Sequence, residues 1–226
     1  MQLWLENKQK FYFMETLNYI LKKFNIKFDD SVRMPIEIPN FGRDGLAQLF
    51  HELNFKLGAE IGVCKGEFSE VICKANPQAK LFSIDPWTPY KEYTDYQKES
   101  TFNKLYTAAK ERLDKYPNCL MIQDTGVNAS KKFADNSLDF VYIDANHKVE
   151  FVMEDVATWI KKIRPGGILA GHDYAKIRKP TSTHVYEAIN AYTQSYVIRP
   201  WFLIGQNAMI PGEVRDSMRS WMWVKI

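Results

Sequence analysis

Between Leu57 and Gly171 the chain alternates short apolar runs with helix-length amphipathic segments, and this rhythm limits the fold more than any other feature. The runs Leu57–Val63, Lys80–Asp85, Cys119–Gln123, Leu138–Asp144 and Ile168–Gly171 read as strands. Phe68–Ala75, Phe102–Lys115, Ala129–Phe133 and Val149–Ile163 read as the helices between them. The fourth run is almost wholly apolar, as expected of a strand covered on both faces. Strand–helix–strand alternation demands right-handed crossovers and a parallel sheet.

The flanks are read more coarsely. Lys8–Phe24 carries Phe11, Met14, Leu17, Ile20, Leu21 and Phe24 at helical spacing. Asn25–Asn40, with Pro35 and Pro39, reads as a connecting arm, and Asp44–Leu53 as a short helix. Residues 1–53 are therefore expected to pack as a helical annex on a domain spanning 54–226. Pro165-Gly166-Gly167 is expected to break the helix before the fifth strand. After Thr183 a further helix and the apolar segments Ser195–Ile204 and Met218–Ile226 are expected to finish the sheet, the last of them antiparallel. A chain of 226 residues suits one such domain.

Net charge +3 does not call for nucleic acid or a membrane as partner. Cys64, Cys73 and Cys119 match no zinc or redox spacing and are expected as reduced thiols. No apolar run approaches the roughly 18–20 residues that cross a bilayer. Residues 1–10 lack the charged-then-apolar order of a secretory signal. The expectation is a soluble, cytoplasmic protein whose oligomeric state is open.

The first core strand runs into Glu60-Ile61-Gly62-Val63-Cys64-Lys65-Gly66, a glycine turn that opens a helix. Glycine allows a tight turn and close approach to a ligand. A phosphate loop would need Gly-x-x-x-x-Gly-Lys-Ser/Thr, and a dinucleotide fingerprint Gly-x-Gly-x-x-Gly. Neither is present. What remains, acidic-x-Gly-x-x-x-Gly, is equally a structural turn when taken alone. Asp85, closing the second strand about twenty residues on, is placed to accept hydrogen bonds from a ribose, or to cap the turn before Pro86. Gln123, Asp124 and Thr125 follow the third strand. At the tips of the fourth and fifth strands lie Asp144-Ala145-Asn146-His147 and His172-Asp173-Tyr174, the latter after Arg164-Pro165-Gly166-Gly167.

Taken together, from Leu57 to Tyr174, these features resemble the class I S-adenosylmethionine-dependent methyltransferases. The nearest likeness is to a bacterial type with an IDxxH … PGG … HDY pattern, related to catechol-type and macrocin-type O-methyltransferases. The resemblance implies an α/β, Rossmann-like, mostly parallel seven-stranded sheet with helices on both faces. It implies S-adenosyl-L-methionine held by Glu60, Gly62, Gly66, Asp85, Asp124, Thr125 and Asp144. It places His147 as general base beside Asp144, and Asp144, His172 and Asp173 as ligands of a divalent metal. In catechol-type enzymes a lysine stands where His147 lies and a carboxylate where His172 lies; the second departure disfavours magnesium, because imidazole suits transition metals. An alkyl hydroxyl near pKa 15.7 lies about nine units above imidazole, so proton transfer must accompany methyl transfer or a metal must lower the hydroxyl pKa. The implied reaction is O-methylation of a small molecule or a sugar or glycan hydroxyl.

Weaker features complete the reading. Trp87, Tyr90, Tyr93 and Tyr96 form a lid or pack on the next helix. Lys176, Arg178 and Lys179 are a solvated loop or a grip on an anionic acceptor. His51 and His184 read as surface or helix residues. The competing functions are a nicotinamide-dependent oxidoreductase, which should show Tyr-x-x-x-Lys or a dinucleotide turn near the site and shows neither at a plausible position, and a non-catalytic nucleotide-binding protein.

Overall fold

A computed structural model describes the backbone of residues 2–11, and residues 12–90, 98–176 and 183–226 in full. The elements in chain order are α1 (Gln2–Lys23), β1 (Ile36–Ile38), α2 (Arg43–Glu52), β2 (Leu57–Ile61), α3 (Glu67–Ala75), β3 (Lys80–Asp85), α4 (Glu99–Leu113) and β4 (Cys119–Gln123). They continue with α5 (Gly126–Ser130), β5 (Leu138–Ile143), α6 (Val149–Lys162), β6 (Ile163–Gly171), α7 (Val185–Ser195), β7 (Trp201–Ile204) and β8 (Ser220–Val224).

One sheet has the order β1-β7-β8-β6-β5-β2-β3-β4. Strand β8 runs antiparallel to both neighbours, and every other pairing is parallel. From β2 the chain steps outward to β3 and β4, then returns to β5 on the other side of β2. The crevice beyond the tips of β2 and β5 is therefore the topological switch point, where open α/β sheets bind ligands.

Both sheet faces are buried, which is why β5 reads as a continuous apolar run. Its Leu138, Val141 and Ile143 join a core closed by α6 and α7, including Val152, Val156, Trp159, Ala188 and Ile189. Phe140 and Tyr142 point the other way, into a core with Leu17, Ile20, Leu46, Leu49, Phe50, Phe68 and Ile72 from α1, α2 and α3. Phe140 stacks on Phe50 with centroids 4.0 Å apart. The ring lies over Gly58, where an added Cβ would come within 2.1 Å of it.

Two expectations change. The sheet has eight strands, not seven, because Ile36-Glu37-Ile38 within the arm pairs with β7. Pro35 and Pro39 flank the three residues without interrupting them, a placement that an edge strand tolerates. Pro165-Gly166-Gly167 also does not break a helix, since α6 has ended at Lys162; the triplet lies inside β6. Here the glycines serve packing. A Cβ on Gly166 would come within 2.6 Å of the Tyr12 carbonyl oxygen, and one on Gly167 within 2.5 Å of that of Asp139. The lack of side chains there lets α1 lie on the sheet backbone, where the Thr16 hydroxyl donates to the Gly166 carbonyl at 2.7 Å. Among the described residues no helix is long and apolar enough to cross a membrane.

Candidate functional site

The tips of β2, β3 and β5 and the segment after β4 enclose a cavity of about 310 Å³. Gly62 and Cys64 line it after β2, Asp85 and Pro86 after β3, Thr125, Gly126 and Val127 after β4, and Asp144, Ala145 and Asn146 after β5. Phe151, Glu154 and Asp155 from α6, Tyr90, and Phe102 and Leu105 from α4 complete the wall.

Gly62 must be glycine. Its φ is +86°, and an added Cβ would lie 2.0 Å from the carbonyl oxygen of Asp144. Backbone hydrogen bonds tie the neighbouring tips together: Gly62 N donates to Ile84 O at 2.9 Å, and Asp144 N to Ile61 O at 2.8 Å.

Asp85 lines the cavity, and it also shapes the turn. One carboxylate oxygen accepts from the amides of Val63 (2.9 Å) and Cys64 (3.0 Å), the other from Trp87 N (2.8 Å). Burial raises its pKa, and the three N–H groups partly offset that rise. Asp85 thus caps the turn, one of the two roles weighed for it, and also lines the cavity.

Three other residues expected at the cofactor lie off the cavity wall. Glu60 is 2% exposed and sits beneath the turn, hydrogen-bonded by the Ser69 hydroxyl, with burial pushing its pKa well up. Strand alternation turns it toward α3 instead of the cavity. Gly66 caps α3 at φ +74° and faces Leu113. Asp124 accepts from Lys132 Nζ and its neighbour Thr125 N, each at 2.9 Å. Gln123 reaches Pro86 O at 3.3 Å.

At the β5 and β6 tips, Asp144 leaves the cavity wall and joins a charged cluster. His147 Nε2 lies 3.0 Å from an Asp173 oxygen and 3.7 Å from Asp144 Oδ1. His172 Nδ1 lies 3.3 Å from Asp173 and 3.8 Å from Asp144, and its Nε2 is 3.2 Å from Asp216. Burial disfavours charge on both rings, yet the facing carboxylates outweigh it and push each histidine up to about 10. Asp173 is held well below its usual range by the same two histidines, against its burial. One donor atom each from Asp144, His147 and Asp173 lies within 4.8 Å of the others, a spacing a metal ion can bridge. This groups His147 with the two aspartates; His172 Nδ1 faces the same pair, while its Nε2 meets Asp216.

Sequence reasoning missed Asp216, Arg43 and Asp155. Asp216, 5% exposed, comes from the loop between β7 and β8 and accepts from Arg43 N at 3.0 Å and the Ser220 hydroxyl at 2.9 Å. Arg43, opening α2, places its guanidinium 3.8 Å from Asp144 and 3.9 Å from Asp216. Neither carries a motif. Asp155 did carry a signal, an acid on the helix stripe between Val152, Val156 and Trp159.

The remaining features resolve simply. Trp87 is buried, packs edge-on against Tyr106 and donates to Cys64 O, whereas Tyr90 accepts from Asn146 at the cavity. Tyr93, Tyr96, Arg178 and Lys179 lie outside the described residues. Lys176 sits over the Tyr186 ring. His51 is exposed on α2. His184 supports the loop that carries His147: its amide donates to His147 O at 2.8 Å, and its Nδ1 accepts from Val149 N.

Residues 59–174, half of the chain, match the family described as "Methyltransferase domain". A search of curated protein sequences finds no relative. Among solved structures, the chain is similar to a Staphylococcus aureus protein provisionally named a caffeoyl-CoA O-methyltransferase, at TM-score 0.54 and 14% identity, over 94% of this chain and 91% of that one. It is similar to a provisional O-methyltransferase from Klebsiella pneumoniae at TM-score 0.56 and 14% identity, over 81% and 80%. Cofactor-bound Rv0187 from MTB gives 0.55 and 12%, over 80% and 78%. At these identities the likeness speaks for the fold alone. The sheet order with its antiparallel β8, the glycine-turn cavity and the family match over half the chain lead to one assignment: the chain belongs to the class I methyltransferase-domain family.

Proposed function

We propose that this protein transfers the methyl group of S-adenosyl-L-methionine to a hydroxyl of a small molecule or a sugar or glycan. One observation carries the reading: Asp144 both lines the glycine-turn cavity and faces the His147–Asp173 cluster, so it stands between a cofactor pocket and a proton-handling group. The sulfonium carbon leaves sulfur for the acceptor oxygen, and the hydroxyl proton passes to His147. S-adenosylhomocysteine and a methyl ether result. Alignment of the two reactants can supply about 7–11 kcal/mol of the barrier lowering. A small-molecule partner and a cytoplasmic setting belong to the same reading.

Asp144 and Asp173 favour the imidazolium form of His147, so the ring must first release its own proton to solvent before it takes the acceptor's. The two carboxylates, with the imidazole nitrogen, fit a divalent transition metal by donor type and spacing. When bound, such an ion supplies positive charge that lowers the pKa of an acceptor hydroxyl. The cluster geometry favours a second role for His147, as a ligand.

The test begins with calorimetry against S-adenosylhomocysteine and NAD, followed by transfer of labelled methyl to a panel of hydroxyl acceptors with and without chelator. S-adenosylhomocysteine binding with methyl transfer to oxygen supports the proposal. Binding of NAD alone overturns it. Chelator-sensitive turnover restored by metal assigns His147 as ligand, and chelator-resistant turnover lost in His147→Ala assigns it as base.

A further inference from the structure

The α6 wall of the cavity holds a carboxylic acid that the proposed chemistry does not use. Asp155 is 7% exposed, lines the cavity, and has no hydrogen bond among the described residues. Its oxygens are not sealed from solvent, so a ligand in the cavity can reach them. The space around it is defined. Gly126 has no side chain, and a Cβ there would lie 2.7 Å from Asp155 Oδ1, 2.8 Å from the Ile61 side chain and 3.5 Å from Trp159 Nε1. The Asp155 carboxyl therefore packs closely against the Gly126 backbone at the cavity's edge. Trp159 Nε1 behind it also has no partner among the described residues.

Strand order gives this end of the cavity its direction. The His147–Asp173 cluster sits at the tips of β5 and β6, where the methyl group must be delivered. Asp85 follows β3, two strands from β5, and Gly126 follows β4, three strands away. A ligand with its sulfonium at Asp144 and its ribose near Asp85 has its base directed toward Thr125, Gly126 and Val127, beside Asp155. The walls there, Ile84, Val127 and Phe151, are apolar and suit the flat faces of a purine. The polar atom they surround is a hydrogen-bond acceptor.

We infer that Asp155 reads the 6-amino group of the cofactor's adenine, making it a cofactor-specificity residue on α6. The inference rests on the S-adenosylmethionine reading above. An exocyclic N–H donated to a carboxyl oxygen would satisfy Asp155 and select adenine over purines lacking the amine. A residue that merely capped the nearby start of α5 would be indifferent to that amine.

The experiment is calorimetry on the full chain with S-adenosylhomocysteine and with its analogue whose purine lacks the 6-amino group. Wild type should prefer S-adenosylhomocysteine by about tenfold, the scale of one hydrogen bond. Asp155→Ala should weaken S-adenosylhomocysteine by a similar factor and leave the analogue's affinity unchanged, and Asp155→Asn, which keeps a carbonyl acceptor, should restore most of the preference. Circular dichroism establishes that each variant is folded. Equal affinities for the two ligands in wild type, or equal losses for both in Asp155→Ala, would overturn the inference while leaving the cofactor reading intact. No binding of S-adenosylhomocysteine by wild type would remove both.

Discussion

Asp155 also predicts a stability effect that needs no ligand. Burial pushes its pKa from the ordinary 3.8 up to about 7, with the charge of Glu154 adding to the rise. The folded chain therefore holds this proton over a pH range in which the unfolded chain has lost it. Stability must fall as pH climbs from about 4 to about 7, and the full cost is present above that window. At about 1.4 kcal/mol per pKa unit, the cost is about 4 kcal/mol above pH 8 and about 2 kcal/mol at pH 5. Asp155→Asn keeps the shape and removes the ionisation. Its stability advantage over wild type should grow by about 2–3 kcal/mol between pH 5 and pH 8.5, which for a chain this long is roughly 5–10 °C in Tm. Ligand-free thermal melts and urea titrations of both proteins at the two pH values measure it. An advantage that is flat with pH, or a variant less stable than wild type at pH 8.5, would refute the argument that Asp155 is a buried acid without a compensating partner.

Other outcomes follow from the same geometry. Gly62→Ala forces a side chain onto the Asp144 carbonyl oxygen at positive φ. S-adenosylhomocysteine binding should fall below detection, with a Tm drop of several degrees; unchanged affinity would show that the turn does not face the cofactor. His147→Ala should leave S-adenosylhomocysteine affinity within about twofold and cut turnover at least 100-fold, on the usual scale of general-base loss. A parallel fall in affinity would place His147 in the cofactor site instead. Asp216→Asn removes the charge facing His172 Nε2 and Arg43. Turnover should fall while cofactor affinity holds, and Asp216→Glu should restore part of it; full activity in both variants would exclude Asp216 from positioning the cluster. Gly58→Ala meets the Phe140 ring within 2.1 Å and should destabilise by about 1–3 kcal/mol, read from urea midpoints.

The parts of the site that are legible in the sequence share one property: each lies within a few residues of a strand end. Asp85, Gly62, Asp144, His147 and Asp173 can be ordered along the sheet because parallel strands bring all their carboxyl ends to one edge. Arg43 and Asp216 cannot. They lie 101 positions before and 72 after Asp144 in numbering, on a helix start and in a loop with no pattern of its own, and their meeting depends on β7 and β8 folding back beside β6. Glu60 shows the opposite failure. Its motif position suggests a ligand, but neighbouring strand residues face opposite sides, and its side chain lies under the turn against Ser69.

The sequence alone determined the alternation of strand and helix, hence the parallel sheet, the shared edge and a glycine turn after the first core strand. These follow from hydrophobic period and backbone sterics, which act over a few residues and leave their mark locally. Tertiary structure decided the rest: that Ile36–Ile38 closes the sheet as an eighth strand, that His147 comes within reach of both Asp144 and Asp173 while His172 bridges to Asp216, and that Asp155 has no partner among the described residues at the cavity's edge. Each depends on which distant surfaces come within hydrogen-bonding range, and the packing of helices on a twisted sheet sets those distances.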